Sequence, residues 1–344
     1  MSFVNATRQN LRTLTSLKYE AGQQTSYDIS RVGFLSKIYL RFEGKVNAKH
    51  ASKSTFAKAA EAPYNLANRV RLVLNNGTSI WDTSGYGVYM LNLINKLNYV
   101  MDNQVAGSKI FQFGNTCSSA GTDNDLCFSL ELNMSLNEKD MLGLIMLQSS
   151  QVVATIQVDN AQPGVLTTDT DIEMTVTGNW HLSYEYFEIP VDVANYPVID
   201  VIHQVLEDNN TIHSTGENRI VIPRGHTYLR IINSVKINGK LSLDDVDRMN
   251  IKYNLSNEPY TVNKDDFLMY QRSRYGRDLP AGMYAWDLFY QGYPNYGTVR
   301  DWVQSANITE FDQFIHIKGD ATLGSNNNTV RTVREMLADV NAAV

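Results

Sequence analysis

The sequence predicts an all-β fold in which two sandwich or jelly-roll domains follow one another along the chain. The same order of elements occurs twice, about one domain length apart: an alternating strand, an Asn-Gly turn, a helical stretch and a further strand. Short strands with turn signals between them fill both halves, a pattern typical of sandwiches and jelly rolls rather than of βαβ units. We therefore expect two duplicated domains.

The two copies match in the order of their elements, although few residues are identical. The paired segments are residues 69–74, the turn Asn75-Asn76-Gly77 and residues 128–134 in the first half, and residues 230–237, the turn Asn238-Gly239 and residues 283–290 in the second. Asn and Gly tolerate the positive φ that tight turns between strands require, so each turn marks the end of a strand.

Further strands and two helices complete the predicted plan. The other strands are residues 32–42, 144–147, 152–158, 172–176 and 180–187 in the first half, and 198–206, 220–222 and 314–317 in the second. Residues 85–101 have apolar side chains three or four positions apart, which predicts a packed crossover helix. Residues 264–274 are predicted to be helical because Asp265 and Asp266 suit a helix N-terminus. The Ala-, Ser- and Lys-rich residues 49–62 are expected to form an exposed loop.

The predicted domains are an N-terminal arm at residues 1–20, a first domain at 21–189 and a second at 190–344. The second boundary lies between Pro190 and Pro197, because proline cannot donate to a sheet ladder and stiffens a linker. The arm is expected to be a short basic amphipathic helix that contacts a membrane or a partner protein. Its candidate contact residues are Arg8, Leu11, Arg12, Leu14, Leu17 and Lys18.

Composition excludes several classes of protein. With 43% apolar and 19% charged residues, the 344-residue chain is expected to be globular rather than disordered. A net charge of −6 disfavours direct nucleic-acid binding, which needs a clustered basic excess. Neither a membrane span nor a secretory signal is predicted, so we expect synthesis in a cytoplasm, where Cys117 and Cys127 are free thiols.

The sequence contains no recognisable catalytic, cofactor or metal site, and we predict none. No two of its six histidines have the spacing of metal ligands. Asp123-Asn124-Asp125 and Asp244-Asp245-Val246-Asp247 lack the pattern of a calcium loop, and Gly85-Tyr86-Gly87 is interpreted as a helix entry. A group of aromatic residues is expected in the core or at a subunit interface rather than in a glycan-binding platform: Tyr284, Trp286, Phe289, Tyr290, Tyr293, Tyr296 and Trp302.

Several short motifs resemble those of one family. Residues 65–70 followed by Thr83-Ser84-Gly85 resemble the first jelly roll of the major capsid proteins of tectiviruses, which are tailless phages with an internal membrane. Arg272-Ser273-Arg274 and residues 278–284 resemble a segment of that family's second jelly roll. The order of the motifs agrees with the family over most of the chain, but the predicted arm is shorter than in its longer-armed members.

The resemblance implies a double jelly roll: two eight-stranded jelly rolls with short crossover helices, preceded by an N-terminal helix. It also implies a homotrimer of pseudo-hexagonal outline, trimers that tile an icosahedral shell around an internal membrane, vertex and minor capsid proteins as partners, location in the virion and no enzymatic activity. Two similar domains and a threefold axis give six near-equivalent sides, as a hexagonal lattice requires. The alternative is a jelly-roll protein that binds or cleaves carbohydrate, such as a phage spike or a lectin.

Overall fold

The structure is a computed structural model that describes residues 3–30, 33–75, 77–95, 111–136, 141–147, 153–254, 257–288, 303–324 and 327–339. It divides into two compact units: the first runs to Gln204 and includes Asp339 as well, and the second spans Val205–Ala338. This division falls inside a strand, after the predicted boundary at residues 189–190. In the described part of the chain, no helix is long and apolar enough to cross a membrane.

The first unit consists of strands and one α-helix. Its strands are β1 Gln9–Thr13, β2 Leu17–Lys18, β3 Gln24–Ile29, β4 Phe34–Lys49, β5 Ala67–Leu74, β6 Thr78–Thr83, β7 Gln112–Phe113, β8 Thr122–Asn133, β9 Ile145–Met146, β10 Ala154–Asn160 and β11 Glu173–Phe187. The helix α1 is Gly85–Asn95, and short 3₁₀ turns lie at Phe3–Asn5, Tyr64–Leu66, Pro163–Leu166 and Val193–Asn195.

The second unit also consists of strands and one α-helix. Its strands are β12 Val201–Thr211, β13 Gly216–Val221, β14 Thr227–Ile237, β15 Lys240–Leu241, β16 Val246–Tyr253, β17 Asn257–Asn263, β18 Met283–Asp287, β19 Val303–Gln304, β20 Phe311–Ile317 and β21 Thr329–Asp339. The helix α2 is Lys264–Tyr275.

Both units have the same topology, which is that of a jelly roll. In the first unit β1 and β2 together pair with β11, and the order continues through β4 to β8; the opposite sheet has the order β3-β10-β5-β6. In the second unit the orders are β12-β21-β14-β18 and β13-β20-β16-β17. Each unit has eight main strands when β1 and β2 are counted as one and the two-residue strands β7, β9, β15 and β19 are left out. Numbered along the chain, the main strands have the orders 1-8-3-6 and 2-7-4-5 in the two sheets of each unit. The predicted duplication and double jelly-roll fold are confirmed.

The helices occupy equivalent places, between the fifth and sixth main strands of each unit. The first predicted helix begins as expected at Gly85, where Gly87 N donates to Ser84 Oγ over 3.0 Å; its predicted end at residues 96–101 lies outside the described residues. In α2, the Asn263 side chain caps the N-terminus and Gly276, at φ 66°, ends the helix. The two predicted Asn-Gly turns also occur, with Asn75 at φ 53° and Asn238 at φ 52°.

Each unit has its own aromatic core. In the first unit, Phe42 packs against Phe128 and Trp180 with ring centroids 5.6 and 5.1 Å apart, which joins β4, β8 and β11. In the second, Phe267 of α2 contacts Trp286 at 4.2 Å and stacks on Tyr284 at 5.9 Å. Each such side chain contributes about 1.5–3 kcal/mol when it is fully buried. These contacts therefore fix the helix of the second unit over its sheet.

The prediction of an N-terminal helix is wrong. Gln9–Thr13 form strand β1, which pairs antiparallel with β11 from Gln9↔Phe187 to Thr13↔Ser183. The three leucines at positions 11, 14 and 17 have helical spacing, but the pairing with β11 satisfies the backbone hydrogen bonds and outweighs that local preference. Residues 9–18 are therefore the first strand of the jelly roll and not a separate arm.

Candidate assembly surface

The chemistry considered from the sequence has no assembled site in the described residues. No group of three or more His, Cys, Asp or Glu side chains there is arranged to hold a metal ion. Asp245 accepts a hydrogen bond from Ser242 within its own turn, as expected for a solvated turn. The buried His203 ring bonds the carbonyl oxygen of Asn133 at 2.9 Å, which is a structural role.

The aromatic group of the second half is partly described. Tyr284 and Trp286 lie in the core of the second unit, as predicted, and neither is available to stack on a sugar. Phe289, Tyr290, Tyr293, Tyr296 and Trp302 lie outside the described residues. The described part of this group therefore offers no glycan-binding platform.

The N-terminal candidate residues lie in β1 and β2 or directly beside β1. Arg8, Leu11, Arg12 and Lys18 are exposed, whereas Leu14 and Leu17 are half-buried. Leu17 lies opposite Trp180 in the sheet. Leu11 is the least buried of the three leucines, at 65% exposure, because its side chain projects from a strand at the sheet margin.

The outer edge of β1 presents unpaired backbone groups. Leu14 N donates to Leu182 O and Glu188 N donates to Arg8 O, each over 2.9 Å, so the even-numbered residues face β11. In an antiparallel ladder the alternate residues then direct their N–H and C=O groups the other way. Gln9, Leu11 and Thr13 therefore face the open edge, where no described strand pairs with β1.

The segment that follows β11 is fixed at two points. Ile189 and Tyr196 pack against a small apolar cluster, and the Tyr196 ring meets Phe34 edge-on at 5.5 Å. Phe3 and Phe187 belong to the same cluster. The start of the chain and the linker at residues 189–200 are thus held side by side on the first unit.

Between and beyond these fixed points, the linker exposes apolar side chains. Val191 is fully exposed, Val193 is 70% exposed, and Val198 and Ile199 are also exposed. Asp192 lies between Val191 and Val193, Asp200 follows Ile199, and both are exposed. Asp192 also caps the short 3₁₀ turn, because its carboxylate accepts a hydrogen bond from Ala194 N over 2.9 Å. We call β1, Arg8 and residues 190–200 together the edge-linker surface.

This surface combines a basic half and an acidic half that are directly connected. Arg8 and Arg12 belong to the β1 half, and Asp192 and Asp200 belong to the linker half. Glu188 joins them, because its N–H donates to Arg8 O and its carboxylate accepts from Asn10 Nδ2 at 3.0 Å. Exposed apolar groups, opposite charges and a free strand edge suit contact with a protein. The sequence analysis identified only the basic half; the available signal for the other half was two pairs of apolar residues, one after Pro190 and one after Pro197.

Comparison with known proteins gives matches at the level of structure alone. No protein-family model and no curated protein sequence matches the chain. The STIV MCP crystal structure is similar with a TM-score of 0.73 and 14% identity, and the alignment covers 97% of each chain.

Two further solved structures are similar over nearly the whole chain. The atomic structure of Sulfolobus Turreted Icosahedral Virus aligns with a TM-score of 0.71 and 13% identity, covering 96% of this chain and 91% of that one. The major capsid protein P2 from Bacteriophage PM2 aligns with a TM-score of 0.54 and 12% identity, covering 96% and 98%. The chain shares its double jelly-roll fold with these viral proteins.

Proposed function

We propose that this chain is a major capsid protein, a structural subunit without enzymatic activity. In this proposal three copies form a pseudo-hexagonal homotrimer, and trimers tile the icosahedral shell of a virion around an internal membrane. Vertex and minor capsid proteins are the other partners, and nucleic acid is not contacted directly.

The observation that carries the proposal is the repetition of one jelly roll within one chain. Both units have the strand orders 1-8-3-6 and 2-7-4-5 and a helix in the same place. A threefold axis through three such chains would generate six similar units, which is the symmetry of a hexagonal tile. The similarity to the STIV MCP supports the proposal because it extends over 97% of each chain, so both units are included.

The N-terminal segment has a proposed role at the inner side of the shell. Arg8, Arg12 and Lys18 are exposed, which supports contact with anionic lipid or with neighbouring trimers. Deletion of this segment would also remove the first strand of the jelly roll. Its role is therefore better tested by single substitutions.

The test is the mass and shape of the purified full chain. Light scattering should give about three times 38.8 kDa at micromolar concentration, and negative-stain images should have a pseudo-hexagonal outline. Obligate interfaces bury more than about 2,000 Å² in total, so the trimer should persist on dilution. A stable monomer that binds glycans on an array would contradict the proposal and support the carbohydrate-binding alternative.

A further inference from the structure

We propose that the edge-linker surface docks on the same surface of a second copy around a twofold axis, and that this contact joins neighbouring trimers. The inference rests on the proposed capsid function. It adds a specific contact between trimers, made by the linker and by the free edge of β1. The occupant is a second copy of this chain rather than a lipid surface.

The first argument is the concentration of exposed apolar side chains. Eight large apolar side chains of the described residues are exposed, and five of them belong to this surface: Leu11, Val191, Val193, Val198 and Ile199. Scattered exposed apolar residues are ordinary, but a group of them on one surface marks a protein contact. The linker is held by Ile189 and Tyr196, so its valines are presented by a fixed segment.

The second argument is charge. The segment with Arg8 and Arg12 is hydrogen-bonded at Arg8 O to Glu188 N, directly before the linker that carries the exposed Asp192 and Asp200. A twofold axis places the basic half of one copy against the acidic half of the other, and the reverse, so the surface is complementary to itself. A purely anionic membrane would attract the arginines but repel both aspartates.

The third argument is the free edge of β1. Sheet edges are commonly protected by proline or by charged side chains. In the second unit, the edge strand β17 contains Glu258 and Pro259, and β13 contains Glu217 and Arg219. The sequence of β1, Gln-Asn-Leu-Arg-Thr, has no proline, and the backbone of its one charged residue, Arg12, faces β11 rather than the open edge. Leu11, whose backbone faces the open edge, is exposed at the centre of the strand. Such an edge can accept an extended segment of another chain.

The main experiment compares two matched valines. Val193 in the linker is 70% exposed, and Val221 on β13 of the second unit is 66% exposed and lies outside the edge-linker surface. Sedimentation velocity of the full chain at increasing concentration should reveal association of trimers with one another. Val193→Asp should weaken that association at least tenfold and leave the trimer intact, whereas Val221→Asp should change neither.

A second pair of variants tests the strand edge. Proline is tolerated where the N–H of an edge strand faces solvent, and the Leu11 N–H faces away from β11. Leu11→Pro should therefore keep the trimer and reduce association between trimers more than Leu11→Ala, which retains the N–H. If Leu11→Pro prevented folding, the Val193 and Val221 pair would still decide the proposal.

The outcomes separate this inference from the proposed function. If the chain formed no trimers, the proposed trimer would be refuted, and the twofold contact would still predict concentration-dependent dimers that Val193→Asp abolishes. Three results would overturn the inference: association unchanged by Val193→Asp, loss of the trimer itself in that variant, or anionic phosphatidylserine vesicles that bind the protein in competition with its self-association.

Discussion

Phe3 packs edge-on against Phe187, with ring centroids 5.3 Å apart, and so ties the beginning of the chain to the end of the last strand of the first jelly roll. Phe3 also meets Phe34 at 5.5 Å, at the start of the third main strand. The three rings join segments that are far apart in sequence. The N-terminus is therefore part of the fold of the first unit.

The Phe3 contact predicts a measurable loss of stability. Phe3→Ala should lower the free energy of unfolding by about 3 kcal/mol, because truncating a buried Phe removes its burial and leaves a cavity. The control is Leu11→Ala, which should change stability by less than about 0.5 kcal/mol because Leu11 is exposed. Urea unfolding of both variants provides the measurement. Equal stabilities would mean that the N-terminus is not docked in solution.

The N-terminal strand could not be predicted from local sequence because its partner is distant. Leu11 lies opposite Glu185, and only this long-range pairing reveals that residues 9–13 are a strand. A segment this short fits both the helical and the strand period at some positions. The same limit applies to the linker valines, whose exposure depends on where Ile189 and Tyr196 pack.

Elements with strong local signals were predicted well. The helix predicted at residues 264–274 from Asp265 and Asp266 forms as α2, with Asn263 and Gly276 as its caps. The predicted strands 172–176 and 180–187 proved to be one strand, β11. Gly178 lies opposite Gly44 in the ladder, and a Cβ on Gly178 would come within 2.7 Å of Glu43 O. This glycine therefore permits close packing within a continuous strand.

Arg230 is expected to be essential for stability because it bridges two buried acids. Its Nε lies 3.3 Å from Asp287 and its Nη1 lies 3.0 Å from Glu335, and all three side chains are buried. Arg230→Met should cost about 3–5 kcal/mol, since it leaves buried carboxylates without this cation. Chemical denaturation at pH 7 measures the loss. The control is Arg272→Met, whose largely exposed ion pair with Asp278 should contribute little.

The cost of Arg230→Met should also depend on pH. Burial raises the pKa of Asp287 in the folded protein, while Arg230 opposes that rise. Without Arg230 the pKa of Asp287 in the folded protein should rise further above its value in the unfolded chain. The folded variant then binds a proton more readily than the unfolded variant, so lowering the pH favours its folding. The difference in unfolding free energy between the variant and the wild type should therefore shrink as the pH is lowered from 7 toward 5. A difference that is constant over this range would contradict this account.

Asp171 should titrate far below an ordinary carboxyl. The hydrogen bond from Lys53 is the largest cause that lowers the pKa of Asp171 to about 2, and the hydrogen bond from His50 is the next. Both nitrogen–oxygen distances are 2.9 Å. A lowered pKa means that the carboxylate favours folding above its ordinary pKa and that this contribution is lost as the pH falls toward 2. An NMR titration of its carboxyl carbon should report this value. Lys53→Met should raise it, whereas Lys45→Met, which removes an exposed pair with Asp123, should not.

Cys117 and Cys127 should be unreactive in the folded protein. Both are free, as predicted, and both are buried, at 5% and 4% exposure. Burial raises the pKa of the Cys127 thiol, and only the thiolate is a strong nucleophile. Iodoacetamide at pH 8 should therefore label neither residue in the native protein and both in urea, as measured by mass spectrometry of the peptides. Rapid labelling of native Cys127 would show that β8 opens on the timescale of the reaction, since the thiol can react only when the strand is exposed.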